Sequence, residues 1–253
     1  MQKYALVTGA ASGIGAEFAR QLTERGYTVL KVDRTPLPAD PLALQQDLAE
    51  PCAAEAVMKW LDEMGVLPDL WVNNAGVFDF REVCDLSPER LNLYVDLHCR
   101  SLTQLCRAVA PRMARRGSGE ILNMSSMSCW MPMPGIAMYA ATKAYIRAFS
   151  RALRLELKDS GVSVTVACPG GIATDLFGLP KKLQNLAVRL GALQTPKRFV
   201  SGALRATFKH RKQHINGLII NRLAIVAVGL MPDCVRIQVK HQLLDRWKHQ
   251  EKL

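Results

Sequence analysis

A tyrosine and a lysine four residues apart, Tyr139 and Lys143, form the pair of side chains in this sequence best suited to acid–base chemistry. They lie in the alanine-rich stretch MYAATKA, which favours a helix. On a helix, side chains at positions i and i+4 share a face, and their Cβ atoms are about 5–6 Å apart. A cation about 4 Å from a phenol, at an effective dielectric constant of about 20, contributes about 4 kcal/mol. That energy lowers the pKa of a tyrosine by about three units, so the spacing predicts a phenol that exchanges protons near neutral pH.

The pair alone does not show a catalytic site, because Tyr-x-x-x-Lys is also common on solvent-exposed helices. The elements predicted around it distinguish the two interpretations. The stretch YALVTG is an apolar run that ends in a glycine-rich turn, IGAEFARQLTERG has helical periodicity, and YTVLKVD is a second apolar run. Strand, helix and strand in about thirty residues form a βαβ unit, and such units build parallel sheets. Further strands are predicted at residues 42–45, 67–72, 119–125 and 162–168 and within HINGLII, and further helices at residues 53–64, 91–115 and 139–158. The alternation predicts a doubly wound sheet with helices on both faces.

The length and composition are those of one globular α/β domain. The chain has 253 residues, 49% of them hydrophobic and 22% charged, without repeats or a linker-like segment. We therefore expect a single domain over residues 1–253, with a core over about residues 1–220 and an extension over residues 221–253. The seven cysteines include no Cys-x-x-Cys pair, which favours reduced thiols, and no metal site is expected. Because the sequence enters a strand at its first residues, we expect no signal peptide and a cytoplasmic location.

The formal net charge of +11 favours anionic partners such as nucleotides, acyl carriers or acidic membrane surfaces. Basic residues recur towards the carboxyl end, in FKHRKQH and in VRIQVKHQLLDRWKHQEKL. A solvated basic face is the alternative explanation of the same charge. The sequence contains no helix-turn-helix, zinc or aromatic RNA-reading motif, so nucleic-acid binding is not expected.

The stretch TGAASGIG predicts a turn that binds a pyrophosphate. It stands at the first strand-to-helix connection, where Gly9, Gly13 and Gly15 would let the backbone approach a ligand closely. The amino terminus of the following helix favours an anion. Glycines serve any tight strand–helix connection, but the position at the first βα turn favours a dinucleotide.

An acidic residue at the end of the second strand predicts the choice of dinucleotide. Asp33 would accept hydrogen bonds from the adenosine ribose and repel a 2′-phosphate, which favours NAD. Arg34 follows directly, and a guanidinium there could stack on adenine or bind a 2′-phosphate. NADP is therefore the alternative cofactor.

Five motifs in order resemble those of the short-chain dehydrogenase/reductase family. They are TGAASGIG, NNAG at residues 73–76, NMSS at residues 123–126, the Tyr139/Lys143 pair and PGGIAT at residues 169–174. The resemblance covers residues 5 to about 174 and implies a Rossmann-like doubly wound parallel sheet in three α/β/α layers, here with a C-terminal helical extension. It also implies an NAD(P)-dependent oxidoreductase that acts on alcohols and carbonyls.

The resemblance assigns catalytic roles to four residues. Ser126, thirteen residues before Tyr139, would hold the substrate oxygen, and Tyr139 would donate or accept the proton of that oxygen. Lys143 would lower the pKa of Tyr139 and bind the nicotinamide ribose. The family usually has an asparagine that supports a proton-relay water, and the pattern YVDLHC places Asp96 at that position. An aspartate there would partly cancel the effect of Lys143 on Tyr139, or would merely face a polar cavity.

The resemblance also implies which residues bind the cofactor. Asp47 would contact adenine, with a helix cap as its alternative role, and Ile172 and Thr174 would hold the carboxamide. The Pro-Gly-Gly sequence before them could instead be a plain turn. The whole expected set is Gly9, Ser12, Gly13, Ile14, Gly15, Asp33, Arg34, Asp47, Leu48, Asn74, Ala75, Gly76, Tyr139, Lys143, Pro169, Gly170, Ile172 and Thr174.

Two apolar stretches on the expected substrate side predict a bulky, apolar substrate. MSCWMPMPGIAM lies between the serine and the tyrosine, and DLFGLPKKLQNLAVRLGAL follows the PGGIAT turn. Steroids, bile acids, acyl chains and lipid-derived aldehydes would suit such a pocket better than sugars. The same residues could instead form a packed lid or a subunit contact.

The extension over residues 221–253 has an apolar stretch too short and too interrupted to span a bilayer. It could cover the substrate site, seal a subunit interface or lie on an anionic membrane. Relatives in the family commonly form dimers or tetramers through two long helices, so a homodimer or homotetramer is expected from the resemblance.

The main hypothesis is an oxidoreductase that moves a hydride between NAD and a secondary alcohol or ketone, with Ser126, Tyr139 and Lys143 as its catalytic set. An NADPH-dependent ketone or 3-oxoacyl reductase is the alternative within the same class. A non-catalytic nucleotide-binding scaffold or redox sensor is the alternative from another class, and it would explain Asp96 and the basic tail.

Overall fold

Within the described residues, seven strands form one parallel sheet at the centre of the fold. The structure, a computed structural model, describes residues 2–37, 40–174, 176, 180–189, 193–217 and 219–242. The strands are β1 (Lys3–Thr8), β2 (Tyr27–Asp33), β3 (Ala43–Gln45), β4 (Leu70–Asn73), β5 (Gly119–Met124), β6 (Val162–Cys168) and β7 (Gln213–Ile215). Every residue of β6 is buried, as expected of a parallel strand that is covered on both faces.

Helices connect the strands and cover the sheet. They are α1 (Gly13–Glu24), α2 (Ala53–Glu63), α3 (Pro88–Val95), α4 (Leu102–Arg116), α5 (Ala137–Glu156), α6 (Lys181–Arg189), α7 (Pro196–Phe208), α8 (Ile219–Gly229) and α9 (Asp233–Lys240). A π-helical segment, Asp96–Ser101, joins α3 to α4, and a 3-10 turn, Met127–Trp130, follows β5.

Two apolar layers hold the helices to the sheet, one on each face. On the first face, Val57 and Leu61 of α2 and Leu105 of α4 pack with Trp71 of β4, and all four are fully buried. On the second face, Phe18 and Leu22 of α1 pack with Phe199 and Leu204 of α7, which are also fully buried. Side chains of this size each contribute about 1.5–3 kcal/mol when they leave water. The predicted three-layer α/β/α fold is therefore confirmed.

The strand order places the predicted phosphate turn where the sheet reverses direction. The order is β3-β2-β1-β4-β5-β6-β7, so β1 lies between the two halves of the sheet. Gly9 follows β1, and residues 74–76 follow β4, which pairs with β1. Ligands of doubly wound sheets bind outside the carboxyl ends of the strands at this reversal point.

The predicted strands are confirmed with shifts of a few residues, and the helices show two differences. The helix predicted at residues 91–115 begins earlier, at Pro88, because Ser87 caps it by accepting a hydrogen bond from the N–H of Arg90, and it is interrupted by the π-helical segment. Helices α6 and α7 were not predicted. The last short strand ends at Ile215, and α8 begins four residues later.

The extension consists of α8 and α9 in its described part, and residues 243–253 lie outside the described residues. None of the helices described here combines the length and apolarity required to cross a membrane.

Candidate active site

The end of β5 and the start of α5 bring Ser126 and Tyr139 together. Ser126 begins the turn after β5, where its Oγ accepts a hydrogen bond of 3.1 Å from the N–H of Ser128. Tyr139 lies in the first turn of α5 and is 7% exposed. The hydroxyl of Ser126 lies close enough to that of Tyr139 to affect the pKa of the phenol, and the ring of Phe78 contacts the tyrosine edge-on with ring centroids 5.0 Å apart. The phenol is thus held at a fixed place in an apolar wall.

Burial governs the protonation of the phenol. Loss of contact with water raises the pKa of Tyr139 to about 12, although the hydroxyl of Ser126 acts in the opposite direction. This differs from the sequence argument, in which a neighbouring cation was expected to dominate and lower the pKa. The tyrosine therefore holds its proton at neutral pH in this arrangement.

Lys143 lies one helical turn after Tyr139 and is 4% exposed. Its Nζ donates a hydrogen bond of 3.1 Å to the carbonyl of Met124 and lies 5.5 Å from the centroid of the Tyr139 ring. Burial lowers the pKa of Lys143 to about 8, because the ammonium loses its hydration. The lysine thus changes charge close to neutral pH.

The turn after β1 is shaped for an anion. Gly9 and Gly13 have φ values of 65° and 55°, which favour glycine. A Cβ atom at Gly15 would lie 1.9 Å from the carbonyl oxygen of Gly9, so α1 can start close to β1 only with glycine there. The side-chain amide of Asn74 donates to the carbonyls of Thr8 and Gly9 at 3.0 and 3.2 Å and ties this turn to the end of β4.

Asp33 closes the other side of the turn. Its Oδ2 accepts a hydrogen bond of 2.9 Å from the N–H of Ala11, and its Oδ1 accepts one of 2.9 Å from the N–H of Thr35. The carboxylate is thereby fixed at the carboxyl end of β2. Asp47 accepts a hydrogen bond of 2.8 Å from the N–H of Ala49, so it does cap a turn, and it also faces the cavity described next.

One cavity of about 590 Å³ joins these features. It is lined by Tyr139, Lys143 and all of the predicted cofactor residues except Gly15, Gly170 and Ile172. Gly15 lies beneath the turn, and the N–H of Gly170 donates to Oδ1 of Asn216 at 2.5 Å. The side chain of Ile172 is 2% exposed and belongs to the core. The cavity has the size of a small-molecule site.

The residues present are suited to a dinucleotide on two structural grounds. The N–H groups at the start of α1 open into the cavity beside glycines with positive φ, which is the arrangement that binds a pyrophosphate. Asp33 and Arg34 lie in the same wall, where an adenosine ribose would be bound. Among the described residues, no three histidine, cysteine or acidic side chains cluster as a metal site would require.

The structure places Asp96 away from this cavity. Its carboxylate pairs with Arg100 at 3.0 Å in a half-buried position, and it does not line the cavity. The apolar-polar-apolar pattern used to choose Asp96 also occurs two residues later, around His98. Because two residues on a helix point about 200° apart, only one of the two can face α5. His98 does so, and sequence reasoning missed it.

His98 is buried and fully hydrogen-bonded. Its Nε2 accepts a hydrogen bond of 3.0 Å from the N–H of Val77, and its Nδ1 lies 2.9 Å from Oγ1 of Thr142. Thr142 in turn donates its hydroxyl proton to the carbonyl of Tyr139 at 3.0 Å, so Nδ1 of the imidazole carries the proton. Burial lowers the pKa of His98 well below its usual value, and the nearby charge of Lys143 lowers it further. The imidazole is neutral.

A dinucleotide-binding turn and a buried acid–base group thus share one cavity at the reversal point of a parallel sheet. Proteins with this combination are NAD(P)-dependent oxidoreductases that act on CH–OH and C=O groups.

The chain belongs to the short chain dehydrogenase family, whose sequence model matches residues 3–182. An uncharacterized oxidoreductase of Staphylococcus epidermidis is 32% identical over 203 residues, which cover 74% of this chain and 88% of the relative. A short-chain dehydrogenase from Sphingobium yanoikuyae, solved in complex with NADPH, is 30% identical with a TM-score of 0.76 and covers 90% of this chain and 95% of its own. The bulky-bulky ketone specific alcohol dehydrogenase from Comamonas testosteroni is 28% identical with a TM-score of 0.74, covering 90% and 93%.

Proposed function

We propose that this oxidoreductase transfers a hydride between a nicotinamide and a bulky, apolar secondary alcohol or ketone. The observation that carries the proposal is the buried Tyr139 side chain, which lines the cavity that also contains the start of α1, with Ser126 close to it just outside the cavity lining. Removing a phenol hydroxyl from water costs free energy, so its place in the cavity wall is not explained by stability alone. We infer that it serves proton transfer.

Each side chain of the set has a role that follows from its position. Ser126 donates a hydrogen bond to the substrate oxygen, and Tyr139 exchanges a proton with that oxygen. With its pKa raised to about 12, Tyr139 is protonated at rest, which suits the reduction of a ketone. The bound nicotinamide supplies or accepts the hydride. Lys143, with its pKa lowered to about 8, takes up or releases the compensating proton near neutral pH.

The apolar part of the cavity wall supports a bulky substrate. Leu93, Leu97, Met124 and Leu176 all line the cavity, and flexible or branched side chains of this kind accept large apolar groups. The similarity to a dehydrogenase specific for bulky-bulky ketones points in the same direction. Part of the predicted substrate segment, at residues 175, 177–179 and 190–192, lies outside the described residues.

NAD is the proposed cofactor, with NADP as the alternative. Asp33 faces the cavity with a fixed carboxylate, which would repel a 2′-phosphate. Arg34 lines the same wall and could bind a 2′-phosphate, and the similar Sphingobium yanoikuyae enzyme was solved with NADPH. The repulsion by a carboxylate held by two N–H groups is the stronger argument, because its position is fixed.

The test is a set of initial rates of NADH and NADPH oxidation with four substrates: a ketone with two bulky groups, acetone, a keto sugar and a 3-oxoacyl thioester. We expect NADH to support the bulky ketone with a kcat/KM at least about tenfold above that for acetone and for the sugar. Preference for NADPH would assign cofactor choice to Arg34. Preference for the thioester would favour the 3-oxoacyl reductase, and a preferred sugar would contradict the apolar pocket.

We also propose that the protein assembles through α4 and α5 into a homodimer or homotetramer. Tyr145 and Leu155 of α5 are 41% and 73% exposed, and two such helices could bury these side chains against a second copy. The cytoplasmic location, which the expected absence of a signal peptide predicts, stays a prediction, and the seven free thiols agree with it.

A further inference from the structure

The positive charge of this protein is concentrated in one part of the chain. Residues 176–232 contain ten lysines and arginines and no aspartate or glutamate, which accounts for almost all of the formal net charge of +11. The preceding residues, which form the sheet up to β6 and its covering helices, have nearly balanced charges. A segment of this kind concentrates a positive potential where it lies in the fold.

Four of these cations, named the basic cluster here, lie on α6 and at the start of α7, the two helices that follow the turn at residues 169–174. Lys182 and Arg189 lie on α6, and Lys197 and Arg198 lie in the first turn of α7, and all four are exposed. Pro196, at the start of α7, lines the cavity. Glu17, an acidic residue near Lys197, pairs with Arg20 at 2.7 Å, so its charge is compensated.

Apolar side chains are exposed at the same end of the molecule. On α6, Leu183 and Leu186 are 52% and 51% exposed. On α8, Leu223 and Val226, together with Leu230 just after the helix, are 61%, 55% and 79% exposed. Their spacing of three and four residues puts the last three on one helical stripe. These five side chains, named the apolar face here, are exposed within the part of the chain that the structure describes.

Both helices lie at the carboxyl edge of the sheet, where the cavity opens. Helix α6 follows the turn at residues 169–174, which directly follows β6. Helix α8 begins just after β7, which is parallel to β6, and it contacts the Met127–Trp130 turn after β5. The basic cluster and the apolar face therefore lie on segments that leave the sheet at the same end.

We propose that this end of the protein binds the surface of an anionic lipid bilayer. The leucines and valine would enter the boundary between headgroups and acyl chains, and the basic cluster would contact the lipid phosphates. An anionic bilayer offers phosphates to the basic cluster and an apolar medium to the apolar face. A second copy of this chain would bring its cations against the same cations, and a nucleic acid would offer phosphates but no apolar medium for the leucines. If the proposed function holds, an apolar substrate dissolved in the bilayer would reach the cavity without crossing water.

The first test is flotation of the full chain with vesicles of phosphatidylcholine, with and without phosphatidylglycerol, at physiological ionic strength. We expect binding only to the vesicles that contain phosphatidylglycerol. The triple variant Lys182→Glu, Arg189→Glu and Lys197→Glu should lose at least about tenfold in partitioning, since each cation near an anionic surface contributes about a factor of five. Absence of wild-type binding to either vesicle would overturn the proposal.

A matched variant distinguishes the effect of this particular face from the effect of the net charge of the protein. Arg205→Glu, Lys209→Glu and Arg211→Glu change three exposed cations at the opposite end of α7, near the amino end of β7, and alter the net charge equally. We expect this variant to bind vesicles within about twofold of the wild type. Equal losses in both triple variants would show non-specific attraction and overturn the assigned face.

The apolar face has its own variant. Leu223→Ser with Val226→Ser should weaken vesicle binding at least about fivefold, because both side chains are exposed and would leave water in the bilayer. Light scattering on the same samples gives the mass of the assembly. The wild type could be an oligomer that the Leu223/Val226 substitutions dissociate. If the variant then binds vesicles as strongly as the wild type does, the apolar face is a subunit interface and the proposal is wrong. None of these substitutions touches the catalytic set, so the result does not depend on the proposed reaction.

Discussion

The Nε2 atom of His98 accepts a hydrogen bond of 3.0 Å from the main-chain N–H of Val77. The other ring nitrogen bonds to Thr142 on α5, so one imidazole joins the loop after β4 to the helix of Tyr139 and Lys143. A Cβ atom at Gly76 would lie 3.0 Å from Nε2 of His98 and 3.4 Å from Nζ of Lys143. His98 thus fixes the position of the loop after β4, which lines the cavity, relative to the helix that carries Tyr139 and Lys143.

Removal of this imidazole should slow turnover more than it weakens cofactor binding. His98→Ala leaves the partly buried N–H of Val77 without its partner, a loss of about 0.5–1.5 kcal/mol, and frees α5 to shift. We expect kcat to fall at least about tenfold while the dissociation constant of NADH changes less than about threefold. Steady-state rates across pH and fluorescence titration of NADH measure both.

Two variants show whether His98 acts through its hydrogen bond. His98→Gln keeps an acceptor within reach of the Val77 N–H, and it should recover part of the lost kcat. Asp96→Ala removes a half-buried carboxylate that pairs with Arg100, and we expect its kcat within about twofold of the wild type. A larger loss in Asp96→Ala than in His98→Ala would favour the aspartate as the residue that supports proton relay.

Cofactor choice should depend on the carboxylate beside the first turn. Asp33→Ser removes the charge that repels a 2′-phosphate and leaves Arg34 to bind it. We expect the ratio of kcat/KM for NADH over NADPH to fall at least about tenfold. Arg34→Ala serves as the opposite change and should raise the same ratio. A ratio unchanged by both substitutions would show that neither residue selects the cofactor.

The sheet could be predicted well from the sequence because its buried strands are continuous apolar runs. The stretch VSVTVAC predicts a buried strand at residues 162–168, and β6 has these bounds. The glycines at positions 9 and 13 predicted the phosphate turn, since a positive φ leaves few other choices. Local signals of this kind do not depend on distant contacts.

The missed features depend on contacts between distant segments or on weak local signals. His98 was missed because helix periodicity alone does not say which polar residue faces α5, and the π-helical segment changes the register there. The pKa of Tyr139 depends on burial by the whole fold, which the spacing of Tyr139 and Lys143 cannot express. Helix α7 did have a local signal, since Thr195 before Pro196 is a typical helix start and its Oγ1 does accept from the N–H of Arg198.

The tight packing of the first turn gives a prediction for stability. Gly15→Ala would place a methyl group 1.9 Å from the carbonyl oxygen of Gly9, so the backbone must move. We expect a loss of about 2 kcal/mol or more in the free energy of unfolding, measured by urea denaturation. Ser12→Ala is the control, because Ser12 lines the cavity but makes no side-chain capping bond. Equal stability of the two variants would contradict the packing of α1 against β1.

A half-buried histidine in β7, His214, should make the fold sensitive to acid. Burial lowers the pKa of His214 to about 4, and the charge of Arg211 adds to the effect. Between about pH 4 and 6.5 the unfolded chain therefore binds more protons than the folded chain, so the free energy of unfolding falls as the pH drops. Over this range the contribution of His214 is about 2 kcal/mol.

Thermal unfolding at pH 7 and pH 5 measures this effect. The difference in Tm between the two pH values should be smaller in His214→Gln than in the wild type. A residual pH dependence is expected in the variant, because the pKa of His98 is lowered by burial as well. The same Tm difference in both proteins would show that His214 is not buried as described.

Turnover of the Tyr139→Phe variant is the most direct test of the account. The substitution removes one hydroxyl from the cavity wall and keeps the ring that packs against Phe78. With the preferred ketone and cofactor, we predict a loss of kcat of at least about a thousandfold, with the dissociation constant of the cofactor within about threefold of the wild type. Comparable turnover in the variant and the wild type would contradict proton transfer by Tyr139. No turnover in the wild type with either cofactor, despite tight binding of one, would favour the nucleotide-binding scaffold.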